Sequence, residues 1–152
     1  MPSPLSKADL LNLMPQVQPF RFVDQILEVD ESHIVASYHF GEGESFYQGH
    51  FPGHPITPGV ILLESMAQSG LVLQGMYLLS LELPVDEVPR YRALFTNAAV
   101  EWCASIYPGD TTVTKGEVMS WRRYRIRSRI EMRNQRQKLI AYGEIAAMEV
   151  RL

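Results

Sequence analysis

The segment from Val60 to Leu83 is the longest apolar stretch in the chain, broken by Glu64, Gln68, Gln74 and Glu82. It follows a loop rich in glycine and proline, and its residues favour a helix from Pro58 to about Ser80. Such a helix is apolar nearly all round, so it must be covered on most sides. A strongly curved sheet wrapped around it meets that demand, and so does an open sheet with a partner subunit behind it. Four polar interruptions make the segment a poor membrane span and a good core helix.

The remaining sequence supplies strands. Leu5 to Met14 suits a short helix with Ser6 at its N-cap. Phe20–Val29 and His33–Phe40 read as strands joined by the turn Asp30-Glu31-Ser32. Residues 41–57 form a loop, and 81–90, with Pro84 and Pro89, form a surface connection. Four further strand-like runs follow: 92–106, 111–124, 125–133 and 138–150. Pro108-Gly109-Asp110 and Asn134–Gln137 separate three of them. The expected class is α+β, an antiparallel sheet of mostly hairpin neighbours around one long helix. With 152 residues, the expectation is one domain over 1–152.

The start of the long helix holds the chemistry. Thr57 is a favoured N-cap residue, and Pro58 at the first helical position loses no hydrogen bond. Gly59 then leaves its N–H uncovered at the positive end of the helix, a ready place for a carbonyl oxygen that is becoming an oxyanion. Glu64 shares a stripe with Val60 and Gln68, among Ile61, Leu62 and Leu63. Partial desolvation there raises its pKa and keeps a proton available near neutrality. His50 and His54 lie in the preceding loop. Taken singly, a loop histidine is usually a surface residue and a helical glutamate usually a solvated one. Apolar residues on both sides of Glu64, and a proline-rich turn that fixes the loop's approach, favour chemistry.

"YQGHFPGHPITPGVILLESMAQ" resembles the signature of FabZ-type 3-hydroxyacyl-[acyl carrier protein] dehydratases, close to GHFPGxPxxPGVLxxEAMAQ. The likeness is dense over residues 49–68. "LMPQVQPFRFVDQILEV" is similar to that family's opening L-P-x-x-x-P-F-x-x-V-D-R, and Tyr107–Asp110 to its later PGD turn. The resemblance implies a hotdog fold, a curved antiparallel β-sheet wrapped around one long central helix. It also implies a homodimer or a trimer of dimers, with active sites at the dimer interface. On it, His50 matches the catalytic histidine, Glu64 the catalytic acid, and Gly59 the glycine whose N–H meets the thioester carbonyl. His54 falls where the family varies and receives no role. Glutamate at 64 favours the FabZ type over the FabA type, which also isomerises the double bond. The implied substrate is carried on the phosphopantetheine of an acyl carrier protein, in fatty acid or related polyketide-like lipid biosynthesis, with no cofactor or metal.

Two departures stand out. Gln16-Val17 replaces a His-Arg pair of the family's opening, and "EWCASI" (Glu101–Ile106) replaces a basic run before the PGD turn. Carrier contact therefore needs another surface, which suggests a specialised paralogue. Seven arginines and one lysine lie between Trp121 and Lys138. Arg125, Arg127 and Arg129 alternate with the mostly apolar set Tyr124, Ile126, Ser128 and Ile130, so they share one strand face. A charged strand face often does no more than blunt a sheet edge. Docking of an acidic carrier is the functional reading.

Charge and composition set the outer limits. A formal net charge of −3 gives no general pull toward nucleic acid, and no reader motif is present. Cys103 is the sole cysteine, which rules out an intrachain disulfide and a thiolate cluster. The N-terminus has no secretory pattern, so a cytoplasmic protein without membrane insertion is expected. Two alternatives to the dehydratase remain: a hotdog acyl thioesterase, and a non-catalytic acyl-thioester-binding subunit.

Overall fold

The computed structural model describes residues 3–152. Its first element, α1 (Lys7–Leu13), starts at Ser6, whose side chain accepts from the Asp9 N–H while Asp9 reaches back to the Ser6 N–H. This is the reciprocal capping that stabilises short helices. Strands β1 (Gln25–Val29) and β2 (His33–His39) form a hairpin. Asp30 closes its turn, accepting from Ser32 N–H at 2.8 Å and His33 N–H at 2.9 Å.

The central helix comprises α2 (Gly59–Ala67), one π turn over Gln68–Val72, and α3 (Leu73–Glu82). β3 (Tyr91–Trp102), β4 (Thr111–Arg122), β5 (Arg125–Asn134) and β6 (Leu139–Arg151) complete one six-stranded sheet in the order β1-β2-β4-β5-β6-β3. All its pairings are antiparallel. This is the curved sheet around one helix, one of the two ways of covering the apolar run.

The helix buries two faces at once. Leu62, Met66, Leu71 and Leu78 pack with Ile126, Ile130 and Ile145 from the later strands. Leu73, Met76 and Leu79 pack with Leu10, Ile26 and Ile34 from the first helix and hairpin. The π turn lies at the tightest approach, where a Cβ on Gly116 of β4 would stand 2.9 Å from the Gly70 Cα. Helix backbone and strand backbone meet there without side chains between them.

Three local expectations need correction. The first strand begins at Gln25, because Phe20–Phe22 give their polar backbone groups to the helix. Gln68 Oε1 accepts the Phe22 N–H at 2.7 Å, Ser65 Oγ donates to the Phe22 carbonyl at 2.8 Å, and Gln68 Nε2 donates to the Phe20 carbonyl at 2.9 Å. Second, the N-cap is Pro58, so Gly59 opens the helix. The buried Thr57 hydroxyl instead bonds the Tyr47 hydroxyl at 2.6 Å. Third, residues 45–48 within the expected loop form a 3-10 turn.

Candidate active site

His50 is held by a closed loop. The Ile56 N–H donates to the His50 carbonyl at 3.0 Å, and His50 Nδ1 lies 2.9 Å from the Ile56 carbonyl. A carbonyl oxygen can only accept, so Nδ1 carries the hydrogen. In the neutral ring Nε2 is then left as the free base. Phe51 stacks on the imidazole with ring centroids 4.0 Å apart. Thr57 N–H, bonded to the Ile106 carbonyl at 2.9 Å, anchors the loop to the chain that leaves β3.

Glu64 lies one and a half turns into the helix and lines a cavity of about 200 Å³ with Gln16, Leu71, Val72, Ala93, Leu94, Phe95 and Ala147. Burial pushes its pKa up, and the hydrogen bond from Gln68 opposes that rise. Gln68 Nε2 stands 3.0 Å from Glu64 Oε1. The same amide that docks Phe20–Phe22 therefore orients the carboxyl. Glu64 and Gln68 occupy the expected i, i+4 stripe, and that spacing was the available signal for the contact. Gln16 is a further polar group of the cavity; its Oε1 is buried without a hydrogen-bond partner. Its signal was the departure at that position.

Gly59 sits under Trp102. The indole N–H donates to the Gly59 carbonyl at 3.1 Å, and a Cβ at residue 59 would stand 3.3 Å from the indole nitrogen. A side chain there would push the Trp102 indole back by a few tenths of an ångström.

Among the described residues, no hydrogen bond joins His50 to Glu64, and His50 does not line the Glu64 cavity. Leu94 and Phe95, which do line it, lie on edge strand β3 and are about half exposed, at 52% and 50%. A bulge between Phe95 and Asn97 re-aims the strand at this point. The cavity thus opens along a free sheet edge.

Residues 14–147 match the family model described as FabA-like domain. The chain belongs to the FabA-like family. A 3-hydroxyacyl-[acyl-carrier-protein] dehydratase FabZ from Thermus thermophilus is 37% identical over 121 residues, covering 76% of this chain and 77% of the relative. The enzyme of the same name from Lawsonia intracellularis is 34% identical over 122 residues, covering 78% and 75%. Among solved structures, the dehydratase heterocomplex ApeI:P from Xenorhabdus doucetiae matches with TM-score 0.77 at 13% identity, covering 93% of this chain and 90% of that one. A thioesterase from Haemophilus influenzae matches with TM-score 0.69 at 12% identity, covering 99% and 94%. These two likenesses bear on the fold, and the fold is the hotdog.

The arginines divide. Arg125 and Arg127 line a groove of about 750 Å³ together with Arg122, Arg123, Thr96, Ser120 and Met148. Arg127 also reaches Glu144 at 3.7 Å. Arg129 is outside that lining and pairs in register with Glu117 on one side and Glu144 on the other. Arg122 and Arg123 belong to the basic run but not to the strand face that sequence periodicity singles out. Their position depends on how the β4–β5 turn folds.

No helix of the described residues is long and apolar enough to cross a membrane. Among the described residues, no group of three or more His, Cys, Asp or Glu is placed to hold a metal ion.

Proposed function

We propose that this chain, as a single domain, is a 3-hydroxyacyl-[acyl carrier protein] dehydratase that eliminates water to give the trans-2-enoyl thioester. The observation that carries the reading is Glu64, a carboxyl held by Gln68 at a small cavity, with its pKa raised by burial. Removing the proton alpha to the thioester needs a base, and His50 Nε2 supplies it. The charge that develops on the carbonyl oxygen is met by the Gly59 N–H at the helix start, a donor typically worth about 3 kcal/mol. Glu64 then gives its proton to the departing 3-hydroxyl, which leaves as water. Two protons and a hydroxide move, and that chemistry calls for no metal or redox cofactor. The phosphopantetheine belongs to the carrier.

The half-exposed Leu94 and Phe95 at the cavity's open side support a homodimer formed along β3. His50 of one subunit then approaches Glu64 of the other. Arg125 and Arg127 are the docking charges we assign to the acidic carrier. A substrate borne on such a carrier fits a cytoplasmic site of action.

The test is incubation with 3-hydroxyacyl pantetheine thioesters of several lengths, followed by mass. Loss of one water supports the dehydratase. Release of free acid would replace it with a thioesterase, and binding without turnover with a non-catalytic subunit.

A further inference from the structure

Glu149 is a carboxylate in the wrong place for a structural residue. It is 6% exposed, its Oε1 has no hydrogen-bond partner, and it sits on the sheet face that meets the helix. A Cβ on Gly75 would collide with that oxygen, so the helix leaves room for the carboxyl by carrying glycine there. The dehydration chemistry does not use it.

Its position is one step beyond the Glu64 cavity by three independent relations. Glu149 pairs directly with Ala93 across β3 and β6, and paired residues point to the same face. It follows Ala147 by two residues on β6, again the same face. Gly75, which it touches, follows Val72 by three residues on the helix. Ala93, Ala147 and Val72 all line the cavity. Helix and strand run alongside each other here, so the path from Glu64 to Glu149 follows the helix from residue 64 to residue 75. At 1.5 Å per residue that span is about 16 Å. Small residues, Ala93 and Ala147, flank it on the sheet side.

We propose that Glu149 forms the far end of the acyl pocket and selects acyl chains that end in a hydroxyl over plain hydrocarbon chains of the same length. This rests on the assignment of the Glu64 cavity as the acyl site. A hydroxyl both donates and accepts, so it satisfies the unpartnered carboxyl oxygen whether or not that group is ionised. A methyl end reaching the same point leaves that oxygen as unpaired as it is in the free protein and forgoes the hydrogen bond that a hydroxyl end gains. Shorter chains stop before Glu149, and for them the end group makes no difference at that oxygen.

The experiment uses unreactive acyl-pantetheine amides of graded length, each with a methyl or a hydroxyl end, and measures Kd by calorimetry with the intact protein. Affinity for methyl-ended probes should rise with length and then level off once the chain reaches Glu149. At that length the hydroxyl-ended probe should bind about tenfold tighter or more. Glu149→Met should reverse the preference. Should that variant fail to fold, Glu149→Gln, which retains polar atoms, should keep it. The absence of any length at which the unaltered protein prefers the hydroxyl end overturns the proposal, as does an unchanged preference in Glu149→Met. Because the amides cannot react, a preserved binding pattern alongside failed water loss would refute the dehydratase and leave this pocket assignment standing.

Discussion

At the scale of single residues, two carboxyls in the same interior meet different fates because one has a donor and the other has none. Glu64 receives the Gln68 amide, which moderates the effect of burial. On the proposed mechanism each of His50 and Glu64 makes one proton transfer, so His50→Ala or Glu64→Gln should each lower turnover about a hundredfold or more with the fold intact. Near-full activity in either folded variant would end the assignment. Gln68→Met removes the donor that favours the ionised carboxylate, so Glu64 should hold its proton to higher pH. The alkaline limb of the kcat/KM profile should then move upward. The Phe22 N–H also loses its acceptor, so stability should drop by about 1–3 kcal/mol in urea unfolding. A folded variant with an unmoved limb would show that Gln68 does not tune the acid.

Glu149 has only desolvation acting on it, which pushes its pKa up to about 7 from the ordinary 4.5. Between those values the folded protein keeps a proton that the unfolded chain releases. The stability that this group contributes is therefore full below pH 4.5, falls as pH rises toward 7 and is lost above it. At about 1.4 kcal/mol per tenfold, the interval corresponds to about 3 kcal/mol. Glu149→Gln should raise the melting temperature at pH 8 relative to the unaltered protein and flatten that decline. Parallel melting-temperature curves for the two proteins would show that this carboxyl does not titrate on unfolding.

At the scale of elements, β5 is an inner strand between β4 and β6, so its arginines cannot be explained as protection of a sheet edge. The β4–β5 turn is Arg123-Tyr124, both with positive φ, 52° and 62°. That is the left-handed geometry of a two-residue hairpin, reached without the Gly or Asn that usually marks it. The turn brings Arg122 and Arg123 beside Arg125 and Arg127, and four like charges in one groove favour an acidic visitor. Reversing Arg125 and Arg127 to Glu should weaken use of a carrier-bound substrate about tenfold at low salt, and less at high salt. The loss on a free pantetheine thioester should be much smaller. Equal losses would mean that the strand serves the fold. Arg129→Glu, facing Glu117 and Glu144, should discriminate less between the two substrates.

At the scale of the whole molecule, His50 and Glu64 share neither a hydrogen bond nor a cavity within the described residues of one chain. Within one chain His50 is tied to Ile56, and Glu64 faces a cavity open at the β3 edge. If two copies close that edge, mixing inactive His50→Ala with inactive Glu64→Gln should restore activity, because one of the two sites in a mixed dimer has both groups. Full recovery at that site corresponds to about a quarter of normal activity when exchange is random, measured as water loss after subunit exchange. Exchanged dimers that stay inactive would place the pair within one chain.

The central helix, its approach loop, the alternating faces of the later strands and the Glu64–Gln68 stripe were all readable from the chain. Periodicity and helical spacing act over two to four residues, and each of these features is local. The family signature lay within one unbroken stretch for the same reason. Other features needed partners far along the chain. Phe20–Phe22 lost their strand to Ser65 and Gln68, 43 to 48 residues away. Thr57 gave its hydroxyl to Tyr47 instead of the helix N-terminus. The π turn sits where Gly70 meets Gly116, and Glu149 became a buried carboxyl because β6 lays it against Gly75. A backbone or side-chain polar group takes whichever partner the closed chain brings within about 3 Å, and only the packing of sheet on helix decides which one that is.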